Sequence, residues 1–294
     1  RVLFRSCIFI KYHTLNIKIQ SHIVGKESYV MSVAVTEVAN RPNKIIFSKA
    51  NGGIWSKLRI EAATAAGMEP TLASFLHATI LNHESLDKAL AYHLAQKLGS
   101  QDLNAMQLRD VFLSIYEANP NLVETALRDI EVVRERDPAC LSYLQPFLYY
   151  KGFAALQSYR LAHQLWRDGR DFMALHLQSL MSELFQVDIH PAAKIGKGVF
   201  IDHATGIVIG ETAVVGDNVS MLHDVTLGGT GKVGGDRHPK IGNGVLIGAG
   251  AKVLGNIKVG ENARIAAGSL VLKEVRSGCT VAGIPAKTIG CVQK

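Results

Sequence analysis

The sequence predicts α and β structure in separate domains, with an N-terminal all-α helical domain followed by a C-terminal parallel β-helix. Three observations support this fold class. An aliphatic residue returns at every sixth position from Ile189 to about Val275. The same stretch contains 17 of the 27 glycines and only one aromatic residue, Phe200. Upstream, from about Ile54 to Phe185, apolar residues recur with helical spacing instead.

The period of six residues predicts the β-helix, because each hexapeptide of such a fold is one short strand and a turn, and stacked coils bury a continuous core. An ordinary sandwich of alternating strands would show a period of two. The leading position holds Ile189, Ile195, Ile201, Ile209, Val215, Met221, Leu227, Ile241, Ile247, Val253, Val259, Ile265 and Val271. The position four residues later holds Ala193, Val199, Thr205, Ala213, Val219, Val225, Val245, Ala251, Ile257, Ala263, Ser269 and Val275.

The repeat is interrupted twice, and we expect function at these interruptions because insertions into a solenoid form loops on one face. Two extra residues lie between Ile201 and Ile209, and eight lie between Leu227 and Ile241. The longer insertion is rich in glycine and ends in Asp236-Arg237-His238-Pro239. Its backbone N–H groups can approach a ligand closely, and a guanidinium suits a carboxylate or phosphate.

The charge distribution argues against a nucleic-acid partner. The net charge is +7, but residues 1–49 hold eight Lys and Arg against two Asp and Glu, which leaves about +1 for the remaining chain. The first Met is Met31, so we expect residues 1–50 to be a basic head that is disordered or not native; a basic targeting arm is the alternative. No apolar run is long enough to span a membrane.

The predicted domains are a helical assembly domain at 51–186, the β-helix at 187–276 and a C-terminal tail at 277–294. Asn104 and Gln107 resemble a capping box. The remaining helix ends are predicted at Ser85 and Gly99, at Asn119-Pro120, at Asp137-Pro138, and at Tyr143 and Gly169 for one long helix.

Four cysteines, Cys7, Cys140, Cys279 and Cys291, show no paired spacing. We therefore expect ordinary thiols in a reducing cytoplasm.

Histidines and aspartates cluster in the repeats. Successive coils lie about 4.8 Å apart, and Asp188 and His203 are separated by 15 residues, which places them on neighbouring coils. A carboxylate there can orient an imidazole and raise its basicity, as in a catalytic dyad.

Several motifs resemble the serine O-acetyltransferase family of hexapeptide-repeat acyltransferases. In the repeats they are Asp188-Ile189-His190-Pro191, Ile201-Asp202-His203-Ala204-Thr205-Gly206, Gly210-Glu211-Thr212-Ala213, Val225-Thr226-Leu227-Gly228-Gly229-Thr230-Gly231 and Gly235-Asp236-Arg237-His238-Pro239-Lys240. In the helical domain they are Arg136-Asp137-Pro138-Ala139 and Lys151-Gly152-Phe153. The resemblance implies a left-handed β-helix, transfer of acetyl from acetyl-CoA to L-serine in cysteine biosynthesis, and no metal.

The resemblance also implies roles for individual residues. His203 matches the general base and Asp188 the residue that orients it. Asp137 and Asp202 match the residues that hold the substrate ammonium, and Arg237 and His238 match those that hold its carboxylate and neighbouring groups. For acetyl-CoA we expect oxyanion donors near Gly228 and Gly229, room for the CoA arm along Ala249, Gly250, Ala267 and Gly268, and a phosphate contact from Lys273.

The resemblance further implies partners and a location. We expect a cytoplasmic homotrimer or dimer of trimers with active sites between neighbouring β-helices, and inhibition by L-cysteine. Some members bind O-acetylserine sulfhydrylase through a C-terminal tail that ends in Ile. This sequence ends Cys291-Val292-Gln293-Lys294 and departs from that pattern, which puts in doubt a complex with the sulfhydrylase that the resemblance otherwise implies. The alternatives are another hexapeptide acetyltransferase with a different hydroxyl or amine acceptor, a γ-type zinc carbonic anhydrase, and a non-catalytic scaffold.

Overall fold

The computed structural model describes residues 7–12, 15–20, 53–232 and 234–292. The chain divides into two units, 1–46 and 47–294. In the first unit, β1 (Cys7–Tyr12) and β2 (Leu15–Gln20) form an antiparallel pair; most of the predicted head lies outside the described residues. None of the helices described in the chain combines the length and apolar character needed to cross a bilayer.

The second unit begins with helices that start at Ile54 and end at Phe185, as the apolar spacing predicted. They are α1 (Ile54–Met68), α2 (Ala73–Leu76), α3 (Leu86–Leu98), α4 (Ala105–Ala118), α5 (Asn121–Arg136), α6 (Leu144–Tyr149), α7 (Lys151–Arg167) and α8 (Asp171–Phe185), with a 3-10 turn at Pro70–Leu72 and a π turn at His77–Leu81.

Most of the predicted helix ends are confirmed, and two details are wrong. The capping box of Asn104 and Gln107 is complete, with both reciprocal hydrogen bonds present. Ser85 occupies the N-cap position of α3, but its side chain makes no capping hydrogen bond. The long helix predicted from Tyr143 is broken at Tyr150, whose ψ of 108° is extended. This break turns the start of α7 onto the β-helix.

The β-helix follows, and its strands are short because the chain turns a corner every six residues. They are β3 (Val187–Ile189), β4 (Lys194–Ile195), β5 (Phe200–Ile201), β6 (Ile207–Ile209), β7 (Val214–Val215), β8 (Ser220–Met221), β9 (Thr226–Gly228), β10 (Lys240–Ile241), β11 (Leu246–Ile247), β12 (Lys252–Leu254), β13 (Lys258–Val259), β14 (Arg264–Ile265), β15 (Leu270–Val271), β16 (Cys279–Gly283) and β17 (Ala286–Cys291).

Three sheets, parallel throughout except for β17, form the faces of a prism of about five coils. Sheet 1 has the order β15-β12-β9-β6-β3, sheet 2 the order β13-β10-β7-β4, and sheet 3 the order β17-β16-β14-β11-β8-β5. The prism is a left-handed parallel β-helix of hexapeptide repeats, as predicted.

The core of the prism is formed by the aliphatic positions of the repeat. Nearly all of the leading and partner residues are buried. Thr205 is an exception: it is exposed, whereas Ile207, in register with Val225 of the next coil, is fully buried at the partner position. The two extra residues before Ile209 lengthen this turn, so the inward position falls two residues later than the period predicted, and Ala204 is an additional buried residue.

The helices close the N-terminal end of the prism, where the first coil has no preceding coil to bond its backbone. Tyr159 Oη donates to the carbonyl of Ala193 at 2.5 Å, and Arg160 Nη2 donates to that of Gly196 at 2.8 Å. The buried carboxylate of Asp129 accepts from the N–H of Val199 at 3.1 Å. Side chains of α5 and α7 thus satisfy backbone groups that a terminal coil would otherwise leave unpaired.

The segment predicted as a tail contains two strands. β16 continues sheet 3 beside β14, and β17 folds back on it as an antiparallel partner. This register sets Cys279 opposite Cys291, and the two form a disulfide. The expectation of four ordinary thiols is therefore wrong for this pair, because a separation of 12 residues shows no pairing until the hairpin is known.

Candidate active site

Two edges of the prism carry the predicted site residues, and both border sheet 1. We call the turns that lead from sheet 3 into sheet 1 the His203 edge; they comprise residues 202–206, 222–225, 248–251 and 266–269. We call the turns that lead from sheet 1 into sheet 2 the Arg237 edge; they comprise residues 190–193, 210–213, 229–239, 255–257 and 272–274. The two insertions in the repeat thus lie on different edges.

The predicted residues divide between these edges. The His203 edge carries Asp202, His203, Ala249, Gly250, Ala267 and Gly268, whereas the Arg237 edge carries Gly229, Arg237, His238 and Lys273, with Gly228 at the end of the adjoining strand. Asp188 lies in β3, on the sheet between them. Asp137 comes from the helical part, at the C-terminal end of α5.

The structure brings three of these residues to one cavity of about 380 Å³. Its lining consists of Asp137, Ala139, Tyr149, Tyr150, Lys151, Gly152, Ile201, Asp202 and His203. Gly152 makes the cavity's geometry possible, because a Cβ at this position would lie 2.1 Å from the carbonyl oxygen of Ile201. Only glycine lets the start of α7 approach β5 this closely. The helix break at Tyr150 and the glycine together shape the wall of a cavity that Asp137, Asp202 and His203 all line.

His203 is presented to solvent on a constrained turn. Its side chain is 74% exposed, and Nε2 lies 3.7 Å from Asp202 Oδ2. His203 and Ala204 both have positive φ, 56° and 60°, which disfavours residues with a Cβ. The ring of His223, one coil away on the same edge, meets the His203 ring edge to face at a centroid distance of 5.9 Å.

The predicted pairing of Asp188 with His203 is not formed in this conformation. Asp188 Oδ1 accepts a hydrogen bond from Gln178 Nε2 at 2.6 Å. In the part of the chain that the structure describes, no hydrogen bond joins Asp188 to His203. Asp188 pairs with Val208 across the strands β3 and β6, so it lies on the coil next to the turn that carries His203. Its orienting role therefore stays a prediction.

The functional side chains of the Arg237 edge are internally paired. Arg237 Nη2 donates to Glu211 Oε2 at 2.8 Å, and this bond lowers the pKa of Glu211. His238 is buried, and its Nδ1 accepts from the N–H of Thr212 at 3.1 Å. A Cβ at Gly210 would lie 2.0 Å from His238 Nε2, so this glycine makes room for the ring. Burial, with a contribution from Arg237, lowers the pKa of His238.

The small residues predicted to line the CoA arm are stacked on the His203 edge. The N–H of Gly268 donates to the carbonyl of Ala249 at 2.8 Å, which places the two turns directly one above the other. A Cβ at Gly268 would meet nothing within 4 Å. This part of the edge is open and fits an extended arm, whereas Lys273, Gly228 and Gly229 lie across sheet 1.

Sequence reasoning missed several residues of the cavity. Lys151 and Gly152 belong to a motif used only for the resemblance, while nothing in the sequence singled out Tyr149 or Tyr150. Burial, more than the neighbouring Cys140 and Asp137, raises the pKa of Tyr150 well above its usual range. Burial also raises the pKa of the Cys140 thiol to about 11, so it stays protonated and is no nucleophile, as expected.

The chain matches known proteins over most of its length. A family model described as the N-terminal part of serine acetyltransferase matches residues 54–158, and one described as six bacterial transferase hexapeptide repeats matches 238–273. A serine acetyltransferase from Escherichia coli strain K12 is 56% identical over 237 residues, which cover 81% of this chain and 87% of that protein.

Two solved structures are similarly close. The serine acetyltransferase of Brucella abortus strain S19 in complex with coenzyme A is 55% identical, with a TM-score of 0.81 over 82% of this chain and 96% of that one. Soybean serine acetyltransferase complexed with serine is 56% identical, with a TM-score of 0.79 over 80% and 97%. Identity at this level over four fifths of the chain extends through both the helical part and the β-helix. The chain therefore belongs to the serine acetyltransferase family.

Proposed function

We propose that this chain catalyses transfer of the acetyl group of acetyl-CoA to the hydroxyl oxygen of L-serine, giving O-acetylserine and CoA in the cytoplasmic synthesis of cysteine. The observation that carries the proposal is the single cavity that Asp137, Asp202 and His203 all line. Two carboxylates suit the ammonium of an amino acid, and an exposed imidazole suits its hydroxyl. Related structures with serine and with coenzyme A bound support the same pair of substrates.

In the proposed mechanism, His203 takes the proton of the serine hydroxyl as the oxygen attacks the thioester carbonyl. The carbon–oxygen bond forms, the carbon–sulfur bond breaks, and the imidazolium returns the proton to the departing thiolate of CoA. A base positioned in this way typically contributes about 10² to 10⁴ in rate. Backbone N–H groups at Gly228 and Gly229 are the candidate donors to the oxyanion.

The separation of the two edges supports an assembly of several copies. The general base and the ammonium-binding carboxylates lie at the His203 edge, while Arg237 and His238 lie at the other border of sheet 1. A serine molecule is too small to touch both edges of one prism. We therefore propose a homotrimer, alone or paired into a dimer of trimers, in which the His203 edge of one copy faces the Arg237 edge of its neighbour.

The test measures CoA thiol release from acetyl-CoA with L-serine as acceptor, beside homoserine, a galactoside and an amino sugar. Release that depends on serine and exceeds the other acceptors at least about tenfold is the expected result. A preference for a sugar would instead support another hexapeptide acetyltransferase, and release that no acceptor stimulates would support a scaffold. Stoichiometric bound zinc with CO₂ hydration would support the carbonic anhydrase alternative. L-Cysteine is the proposed inhibitor, because it shares the ammonium and carboxylate of serine.

A further inference from the structure

The turn that carries His203 is less regular than its equivalents in later coils. It spans five residues, 202–206, where the corresponding turns span four. Its two consecutive non-glycine residues with positive φ, His203 and Ala204, are held in a conformation that costs free energy unless the surroundings impose it. The general base therefore depends on contacts that hold its backbone.

Backbone hydrogen bonds to neighbouring coils hold the turn at Asp202, whose N–H donates to the carbonyl of Met221 at 2.9 Å, and on its C-terminal side. The N–H of Gly206 donates to the carbonyl of Gln186 at 2.8 Å, and the N–H of Asp224 donates to that of Thr205 at 2.7 Å. These bonds belong to the stacking of coils, and within the turn the N–H groups of Ala204 and Thr205 donate to the carbonyls of Asp202 and His203. The side chain of Thr205 points outward from the turn and is open to a contact from outside the coils.

That contact comes from the helical part. Lys151 Nζ donates to Thr205 Oγ1 at 2.5 Å. Within the described part of the chain, Lys151 is the only side chain from outside the turn that hydrogen-bonds to a residue of 202–206. The backbone of Lys151 is held in place, because the adjoining Gly152 packs against Ile201 in β5. The start of α7 therefore lies against the prism, and its lysine side chain reaches the turn.

The position of Lys151 is costly for the helix. It is the first residue of the 17-residue helix α7, which has no acidic residue in its first turn. The partial positive charge at a helix N-terminus disfavours a cation there, by about 0.3–1 kcal/mol at an exposed site. Helix formation alone gives no reason for a lysine here, whereas the hydrogen bond to Thr205 does.

We propose that Lys151 is a positioning residue that acts through Thr205 to hold the His203 turn in its productive conformation. This rests on the proposed function, in which His203 is the base. The lysine need not touch the substrate. Its removal should let the turn relax, move the imidazole away from the serine hydroxyl and slow the chemical step, while the open stretch at Ala249 and Gly268 keeps its affinity for acetyl-CoA.

The first measurement compares Lys151→Met with wild type and with Lys197→Met, an exposed lysine in a turn of the prism away from both edges. For Lys151→Met we expect kcat to fall at least about 10-fold, since a displacement near 1 Å can cost about 100-fold in rate. The KM for acetyl-CoA should change less than about twofold, because the variant alters the position of His203 and leaves the proposed acetyl-CoA contacts in place. Lys197→Met should match wild type. Unchanged kcat, or a fall explained by a smaller folded fraction on thermal unfolding, would overturn the proposal.

The second measurement tests the bond itself with a double-mutant cycle. Thr205→Val removes the acceptor at nearly constant shape and should lower kcat by a similar factor, whereas Thr205→Ser keeps the hydroxyl and should recover most of the loss. Combining Lys151→Met with Thr205→Val should then cost little more than either change alone. Independent losses that multiply would mean that the two residues do not act through this bond. If wild type itself showed no serine-dependent thiol release, the proposed function would fail, and with it the basis of the test.

Discussion

The His203 edge and the Arg237 edge border the same sheet, but their functional side chains are held in opposite ways. His203 is 74% exposed, and its nearest acidic group is 3.7 Å away. His238 is 6% exposed and bonded to Thr212, and Arg237 is paired with Glu211. One edge offers an imidazole whose nitrogens make no hydrogen bond to any residue that the structure describes, and the other offers side chains that are already paired. The proposed base and the proposed carboxylate anchor therefore lie on separate surfaces, which the proposed assembly would bring together.

The largest effect is expected at the exposed edge. His203→Ala should lower serine-dependent thiol release by at least about 100-fold, because it removes the proposed base. The fold should survive, since the side chain contributes little to the core. Thermal unfolding near the wild-type midpoint is the control. Near-normal turnover in a folded variant would remove His203 from the mechanism.

A complementation experiment tests the division between edges directly. At serine concentrations below KM, we expect His203→Ala chains expressed alone to be nearly inactive, Arg237→Ala chains expressed alone to be at least about tenfold less active than wild type, and co-expressed chains to recover activity. If each site takes one edge from each of two neighbouring copies, random mixing leaves about one site in four with both edges intact. Activity of co-purified, differently tagged chains should then approach about a quarter of wild type. No recovery in such mixed assemblies would place both edges of a site in one chain.

Much of this architecture could be predicted from the sequence, because the period of a repeat indicates which residues face the core. A period of six fixes which aliphatic residues turn inward, and the interruptions mark where the period fails. The sequence could not place Thr205 outside the core, since the inserted residues act through backbone angles at His203 and Ala204. Nor could it show that the Lys151-Gly152 helix start meets the turn, because that contact joins residues 54 positions apart.

The disulfide of Cys279 and Cys291 was missed for a related reason. Its pairing depends on the register of a hairpin that the six-residue period does not predict. The division of the predicted residues between two edges was also invisible in the motifs, because the order of motifs along the chain does not show which edge of the prism each one occupies. Periodicity therefore predicts burial well and predicts contacts outside the period poorly.

A more moderate effect is expected at the paired edge. Arg237→Lys should raise the serine KM and weaken L-cysteine inhibition together, by about tenfold, since loss of a charge-assisted bidentate contact costs on the order of 1.5–3 kcal/mol. Serine and cysteine present the same ammonium and carboxylate, so one anchor should serve both. The measurement is a matrix of initial rates against both amino acids. Undiminished cysteine inhibition beside a collapsed serine affinity would place the inhibitor elsewhere.

The smallest effect concerns the pH dependence of stability, to which we expect His238 to contribute. Burial lowers the pKa of His238 in the folded chain, with Arg237 and Lys240 acting in the same direction and Glu211 opposing them. An unfolded histidine titrates near 6.5, so as pH falls through that value the unfolded chain gains a proton that folded His238 does not. The stability that His238 contributes is therefore present above about pH 6.5 and lost below it.

His238→Asn keeps an acceptor for the N–H of Thr212 without titrating. Between pH 7.5 and 5.5 its unfolding midpoint should fall less than that of wild type, by on the order of 1 °C for a chain of this size. His203→Asn is the matched control: its side chain is 74% exposed, so replacing it should leave the pH dependence of the wild-type midpoint in place. Equal behaviour of the two variants would mean that the Arg237 edge opens to water before the chain unfolds. In that case the burial of His238 would not distinguish the Arg237 edge from the exposed His203 edge.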